Sequence, residues 1–253
     1  MDKPLPMWMR DVTRVAVLTG AGISTGSGIP DYRGPDGVWT RDPAAAAAFT
    51  LDTYLRDPAT RVRFWQTYVD HPAWTAQPNA AHEALARLDR SGVAVRVLTQ
   101  NIDGLHQRAG LAARKVLELH GTMWTATCAA CRKTAPTAEV RTRVAAGEAD
   151  PRCTACGGVI RLDTVLFGER LNPTVIGHAV AIASAAPLLL AIGSSLLVEP
   201  AAQLGQVAVA HGARLVIINR DETPYDQVAA EVIRADITDV VPDIVDQLIG
   251  ARV

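Results

Sequence analysis

The sequence predicts an α/β protein built on a doubly wound parallel sheet, with a smaller unit made of a helical insertion and a four-cysteine ribbon. Three observations predict it. Short aliphatic runs alternate with helical patterns along most of the chain, and each run ends in a polar or glycine-bearing turn. All four cysteines fall as two Cys-x-x-Cys pairs inside a segment that breaks the alternation.

The runs at 14–18, 93–98, 188–192 and 214–218 are β-branched or aliphatic almost throughout, the pattern of strands buried on both faces. They end in Thr19-Gly20-Ala21-Gly22, Thr99-Gln100-Asn101, Gly193-Ser194-Ser195 and Asn219-Arg220-Asp221. Open parallel sheets bind ligands beyond the carboxyl ends of their strands, so these four turns nominate one site. Helical patterns fill the intervals at 80–88 (after Pro78-Asn79), 173–185 and 201–211. Two segments depart from this rhythm: 41–78, with an alanine run and an aromatic-rich helical stretch, and 124–161, with the cysteines. Both read as insertions that together form the smaller unit. The large domain is then discontinuous (1–40, 79–123 and 162–253), with the helical insertion at 41–78 and the metal module at 124–161.

At 253 residues the chain is long enough for a substantial core. No stretch approaches the roughly 20 apolar residues of a membrane span, and residues 1–10 hold no apolar leader, so a cytoplasmic location is expected. The net charge of −1 gives no general attraction to nucleic acid or to an anionic membrane, and neither is expected as a partner. Paired cysteines in a reducing compartment are metal ligands more often than disulfides.

Glycines 20 and 22 follow a strand, where their small size lets backbone approach a pyrophosphate at a helix N-terminus. Gly26 comes one place too late for the usual dinucleotide fingerprint, and no acidic residue closes a second strand about 20 residues on. Such a cluster alone also serves as a plain tight turn. Its continuation over 23–34 is long and polar, which suggests a cofactor-covering loop with Arg33 available to a phosphate.

The segment Gln100-Asn101-Ile102-Asp103-Gly104-Leu105-His106 sets two amides and a carboxylate at a strand end. Asn and Asp also cap helices, but three such groups together make an amide-recognition site credible. His120, in Leu117-Glu118-Leu119-His120-Gly121, is a candidate for proton transfer near neutrality, although a histidine beside apolar residues is commonly structural. Of the other five histidines, only His106 has surroundings of comparable interest.

Cys128 and Cys131 are separated from Cys153 and Cys156 by 21 residues, slightly more than in most zinc ribbons. Four soft ligands close a tetrahedral Zn2+ site, leaving no position for water or substrate, so one structural zinc is expected and the chemistry lies elsewhere. The six basic and three acidic residues between Cys128 and Arg161 fit solvation of an anionic zinc–thiolate cluster.

Taken together, these residues resemble the sirtuin family of NAD-dependent protein deacylases over nearly the whole chain. The resemblance is carried by Gly20-Ala21-Gly22-Ile23-Ser24, Ser27-Gly28-Ile29-Pro30-Asp31-Tyr32-Arg33, the segment from Thr99 to His106, His120-Gly121 and the cysteine pairs. Val165-Leu166-Phe167-Gly168-Glu169, Gly193-Ser194-Ser195-Leu196 and Ile218-Asn219 follow in order. It implies a Rossmann-like domain that binds NAD, and acyl-lysine proteins or peptides as substrates.

By the same resemblance His120 would be the general base toward an NAD ribose hydroxyl, Asn101 would hold ribose and a water, and Asp103 would grip the nicotinamide carboxamide. Ala21, Arg33 and Gln100 would line the cofactor site, with Ser194 and Asn219 reaching phosphates and adenosine ribose. Gly20, Gly22, Ser24, Asp31, Tyr32, Trp39, Ile102, Gly193, Ser195 and Ile237 would complete it. Val165 and Phe167 would pair with the substrate peptide by strand addition, Val165 accepting the acyl-lysine N–H, and Gly168, Glu169 and Leu197 would join them.

Three positions depart from the family pattern: Tyr32 where phenylalanine is usual, Ser194 for threonine, and Leu162 for proline, the last expected to loosen the approach to the peptide strand. The stretch from Phe64 to Val69 lacks the Tyr-x-x-Arg pair of sirtuins that prefer succinyl-lysine, which favours neutral acyl groups. The expected function is NAD-dependent lysine deacetylation or deacylation. The rivals are ADP-ribosyl transfer or NAD hydrolysis in the same pocket, and a non-catalytic binding module, against which His120 and Asn101 together argue.

Overall fold

A computed structural model of the protein describes residues 12–32, 37 and 50–250. The strands run β1 (Arg14–Thr19), β2 (Ala94–Thr99), β3 (Val116–Glu118), β4 (Gly121–Cys128), β5 (Thr134–Pro136), β6 (Ile160–Thr164), β7 (Leu188–Ile192), β8 (Arg214–Ile218) and β9 (Glu231–Ile233). The first and last trios form one six-stranded sheet in the order β3-β2-β1-β7-β8-β9, with every pairing parallel. Alternate side chains face opposite layers: Val15 and Val17 enter one core, Ala16 and Leu18 the other. The first core is covered by α3 (Ala80–Arg90) and α8 (Ile237–Gly250), the second by α6 (Pro173–Ala185) and α7 (Gln203–Ala210). The doubly wound sheet is the one the apolar runs predict.

Local chemistry starts the helices. Asn79 caps α3 by accepting from the Ala81 and His82 N–H groups, and His82 closes the capping box from the third position. Asn172 caps α6 ahead of Pro173, whose missing N–H costs nothing at a first helical position. None of the described helices is long and apolar enough to cross a membrane.

The smaller unit pairs the antiparallel sheet β5-β4-β6 with α1 (Leu51–Arg56), α2 (Pro58–Val69) and α5 (Thr137–Ala145). One apolar cluster joins Tyr54, Phe64, Trp65 and Tyr68 from the helices to Met123, Ala126, Cys128 and Leu162 from the strands. The helices and the cysteine module therefore bury a common core. Arg61, 2% exposed, ties the two together: it is bidentate to Asp150 (2.9 Å twice) and bonds the Tyr54 and Leu55 carbonyls. A buried guanidinium satisfied in this way locks a docking angle. Leu162 does not loosen this region, since it lies buried in β6 in register with Ala126, where its N–H remains available to the ladder as a proline's would not.

Candidate active site and metal centre

The connection from β1 runs toward β2 on one side and that from β7 toward β8 on the other, so the carboxyl ends of β1 and β7 flank the point where strand order reverses. Three glycines meet there. A Cβ on Gly20 would lie 2.7 Å from the Gly193 carbonyl oxygen, and one on Gly22 would lie 2.7 Å from the Gly193 Cα. Gly193 has φ +61°, and its own Cβ would sit 2.3 Å from the Ile23 nitrogen. The two turns touch through backbone alone, with the Gly22 N–H donating to the Gly193 carbonyl at 2.9 Å. Ala21 then opens a 3-10 turn, Ala21–Ile23, in which the Gly22 and Ile23 N–H groups are taken by the Gly193 and Gly20 carbonyls, while the Ala21 N–H has no partner among the described residues. Such a cradle fits a pyrophosphate. Gly26, late for the fingerprint, serves packing, because a Cβ there would strike the Thr238 side chain at 2.6 Å.

From this cradle opens a cleft of about 1200 Å³. Gly20, Ala21, Gly22, Asp31, Tyr32, Gln100, Asn101, Ile102 and His120 line it on one side; Gly193, Ser194, Ser195, Asn219 and Ile237 line it toward the far strands. Val165, Phe167, Gly168 and Glu169 border it as well. Ser24 and Asp103 stand behind the wall, buried. Leu197 is 56% exposed and does not line the cleft. Arg33 and Trp39 lie outside the described residues.

His120 Nδ1 lies 3.0 Å from the Gln100 carbonyl oxygen. A carbonyl only accepts, so Nδ1 carries the proton and Nε2 is left with a lone pair, the form a base needs. Burial holds the imidazole below the ordinary histidine range, partly offset by that hydrogen bond. Gly121 must be glycine: its φ is +75°, and a Cβ would stand 1.9 Å from the Asp163 carbonyl oxygen, where β4 crosses β6.

The Asn101 amide donates to the Gly20 carbonyl and to Ser24 Oγ, both at 3.1 Å, which turns its nitrogen to the protein and leaves Oδ1 without a partner among the described residues. Ser24 passes the chain on to Asp103 Oδ2 at 2.7 Å, and the Leu105 N–H binds Oδ1. Burial raises the Asp103 carboxyl above its usual range, and these two hydrogen bonds oppose the rise. Gln100 donates to Ser194 Oγ at 2.8 Å, so serine retains the hydroxyl at this position. Beside the cleft the Phe167 carbonyl accepts the Leu51 N–H at 3.0 Å, and Glu169 is held by Arg161. The Val165 carbonyl and Gly168 have no partner among the described residues.

The cysteines converge as the spacing predicts. All four Sγ atoms lie within 4.8 Å of one another, with Cys128 to Cys156 and Cys131 to Cys153 both 3.6 Å. Four thiolates about 2.3 Å from a central zinc stand roughly 3.8 Å apart, so the set fits a tetrahedral Zn2+ with no ligand to spare. Backbone N–H groups of Cys131 and Ala130 lower the Cys128 thiol and those of Ala155 and Cys156 lower Cys153, whereas the neighbouring sulfurs push Cys156 up, so the four are not all thiolates until a cation offsets their charge.

Sequence reasoning missed several contributors. Asn79 pins the glycine loop, donating to the Ile23 carbonyl at 2.8 Å and to Ser27 Oγ at 3.0 Å; its signal was the Pro78-Asn79 cap. Trp124 Nε1 holds the Asp103 carbonyl at 2.9 Å, and Tyr68 and His71 bring the aromatic insertion to the cleft wall. No short-range pattern marks these, because their partners are remote in sequence.

A family model described as the Sir2 family matches residues 20–200. NAD-dependent protein deacetylase 2 of Streptomyces coelicolor is 57% identical over 228 residues, covering 90% of this chain and 95% of that protein. NAD-dependent protein deacetylase of Thermotoga maritima is 40% identical, covering 88% of each. Among solved structures, a Sir2 protein with deacetylated p53 peptide and 3'-O-acetyl ADP-ribose superposes with TM-score 0.88 at 37% identity, covering 95% of both chains. A Sir2 complex with p53 peptide and NAD+ gives 0.84 at 36%, again over 95% of both. The family match over residues 20–200, the 57% identity over 90% of the chain and the superposition over 95% of it thus agree, and the chain belongs to the Sir2 family.

Proposed function

We propose that the protein is an NAD-dependent protein-lysine deacetylase or deacylase acting on acyl-lysine proteins or peptides. The observation that carries this reading is His120, whose Nδ1 proton is fixed on the Gln100 carbonyl so that Nε2 is a free base at the wall of a glycine-cradled cleft. Relatives named as NAD-dependent deacetylases and solved neighbours holding p53 and propionylated peptides support the substrate class.

NAD, when bound, supplies the ADP-ribose that accepts the acyl group and the nicotinamide that leaves. Ala21, Ser194 and Ser195 would hold its phosphates by backbone and hydroxyl donors, Gly20, Gly22 and Gly193 would give them room to approach the backbone, and Asn219 and Ile237 would lie at the adenosine end. Ser24, Asp31, Tyr32, Gln100 and Ile102 would shape the nicotinamide side, together with Arg33 and Trp39. Asn101 presents its Oδ1 to ribose, and the Asp103 carboxyl answers a carboxamide. His120 takes a proton at Nε2; because burial lowers its affinity for protons, it stands neutral and ready at pH 7. The substrate peptide adds as a strand beside Val165, Phe167, Gly168 and Glu169, near Leu197, with the Val165 carbonyl accepting the acyl-lysine N–H. Cys128, Cys131, Cys153 and Cys156 would hold a structural zinc. The division into a discontinuous NAD-binding domain and a zinc-bearing small domain belongs to the same reading.

The test is NAD-dependent turnover of an acetyl-lysine peptide, with products identified by mass spectrometry. The wild type is expected to release nicotinamide and O-acetyl-ADP-ribose, and His120→Ala to lose roughly 100-fold or more with its fold intact. Undiminished turnover in the variant would sink the assignment. Free ADP-ribose or ADP-ribosylated protein as the main product would replace it with hydrolysis or ADP-ribosyl transfer.

A further inference from the structure

Three buried polar side chains beneath the cleft have no role in that reading. Thr19 ends β1, Thr99 ends β2, and His106 lies in the short helix α4 (Leu105–Arg108); their exposures are 0%, 3% and 1%. The Thr19 hydroxyl donates to Thr99 Oγ1 at 2.9 Å. Its single proton is committed there, so the 3.0 Å contact with His106 Nε2 runs the other way, with the imidazole N–H donating to Thr19. Thr99 Oγ1 in turn accepts the backbone N–H of Asn101 at 3.0 Å. A chain of hydrogen bonds thus links His106 to the peptide unit that carries Asn101, meeting at Thr99 Oγ1, which accepts from both sides. The same two strand ends are joined again by the Gln100 N–H on the Thr19 carbonyl and the Asn101 amide on the Gly20 carbonyl.

This arrangement costs stability. With Nε2 protonated, His106 Nδ1 is a bare lone pair, buried and without a partner among the described residues. Among the described residues the neighbouring His82 ring, 4.9 Å away between centroids, likewise has its buried Nε2 unpartnered. An apolar side chain in the place of His106 would remove the bare Nδ1, and Thr19 Oγ1 would keep its bond to Thr99 while losing the imidazole donor. Burial, with His82 alongside, keeps His106 far below the ordinary histidine range, so the donor stays neutral wherever the protein works.

We propose that His106 is a positioning residue of the acyl-transfer reaction: its Nε2–H sets the Thr19 and Thr99 hydroxyls, and through them the angle at which Asn101 meets the cleft. The inference rests on Asn101 acting in the proposed deacetylation.

The experiment is steady-state deacetylation of an acetyl-lysine peptide with NAD by zinc-loaded wild type and by His106→Leu, Thr19→Val, the double variant and His106→Gln, with melting temperatures for each. His106→Leu and Thr19→Val are each expected to lose about tenfold in kcat, the scale of one hydrogen bond, with the peptide KM little changed in both, the melting temperature little changed in His106→Leu, and lowered by a few degrees in Thr19→Val, which orphans the buried His106 Nε2–H. The double variant should lose no more than either single one, and His106→Gln, whose amide N–H reaches the Nε2 position, should recover most of the rate. Ring-nitrogen NMR of the wild type should show His106 neutral and protonated on Nε2. Unchanged kcat in His106→Leu, losses that multiply in the double variant, or an Nδ1-protonated ring would overturn the proposal. Should His106→Leu not fold, Thr19→Val and His106→Gln decide in the same terms. A wild type inactive on acyl-lysine peptides overturns the deacetylase reading and this inference with it, whereas an active wild type with an indifferent His106→Leu overturns the inference alone.

Discussion

At the scale of single residues, the hydrogen bond from His120 to the Gln100 carbonyl decides more than the residue's identity does. It assigns the proton, and burial then sets the pH at which the base is available. The active form is the neutral one, so activity is held above the His120 pKa and lost as pH falls through it. Because burial lowers that pKa, the acid limb of kcat/KM is expected below the free-histidine value of about 6.5. A pH–rate profile on an acetylated peptide checks this; a limb at 6.5 or higher would mean that another group controls the rate. His120 was legible in the sequence through its place after an aliphatic run and ahead of the first cysteine pair. Its tautomer was not, because the Gln100 carbonyl reaches it only when β2 and β3 lie side by side. Thr19, Thr99 and Asn79 escaped for the same reason. The two threonines are ordinary turn residues until strands 80 residues apart in sequence are paired, and Asn79 is an ordinary cap until the glycine loop, with Ile23 and Ser27, folds against it.

Among the elements, the apolar runs located β1, β2, β7 and β8 to within a residue at either end, and the helical patterns found α3, α6 and α7. β3 and β9 are three residues each, too short for any periodicity to register. α8 carries Pro242 inside it, a residue that argues against a helix on sequence alone. The cysteine spacing gave the metal site and said nothing of β4 and β6, since ligand spacing constrains sulfur positions and not strand pairing. Those strands nevertheless make the zinc a structural matter, because Cys128 and Cys153 are buried in the core that also holds Phe64, Trp65 and Tyr68. Cys128→Ser is therefore expected to abolish stoichiometric zinc and to cost about 3 kcal/mol or more, roughly 10 °C in melting temperature for a chain of this size. Metal analysis and thermal melts read both quantities. Zinc retained at one per chain with an unchanged melting temperature would show that the cluster is not the metal centre.

For the molecule as a whole, strand order was the part that sequence could least supply. Alternation announces a parallel sheet, but only the pairing of β1 with β7 explains why Gly20, Gly22 and Gly193 must all be glycine and why the four nominated turns gather around one crevice. The same layering buries histidines that a solvated chain would leave free to ionise. Burial lowers His82 to about 4 and takes His106 well below its ordinary value. Between those values and the unfolded pKa of about 6.5 the unfolded chain binds more protons than the folded one, so stability is full above pH 6.5 and falls as the solution is acidified toward 4. Each fully neutral histidine contributes up to about 1.4 kcal/mol per pH unit, roughly 3 for the pair. Asp103 and Glu118, whose carboxyls burial raises, bind protons more readily when folded and oppose this trend toward the acid end. Urea melts of zinc-loaded protein between pH 7 and 5 should therefore show a steep loss of stability on acidification, and the His106→Leu variant a slope shallower by about one proton. Thiolate protonation weakens the zinc equally in both proteins, so the difference between them isolates the histidine. Equal slopes would mean that His106 ionises as freely in the folded state as in the unfolded chain, which a donor locked between Thr19 and an apolar core cannot do.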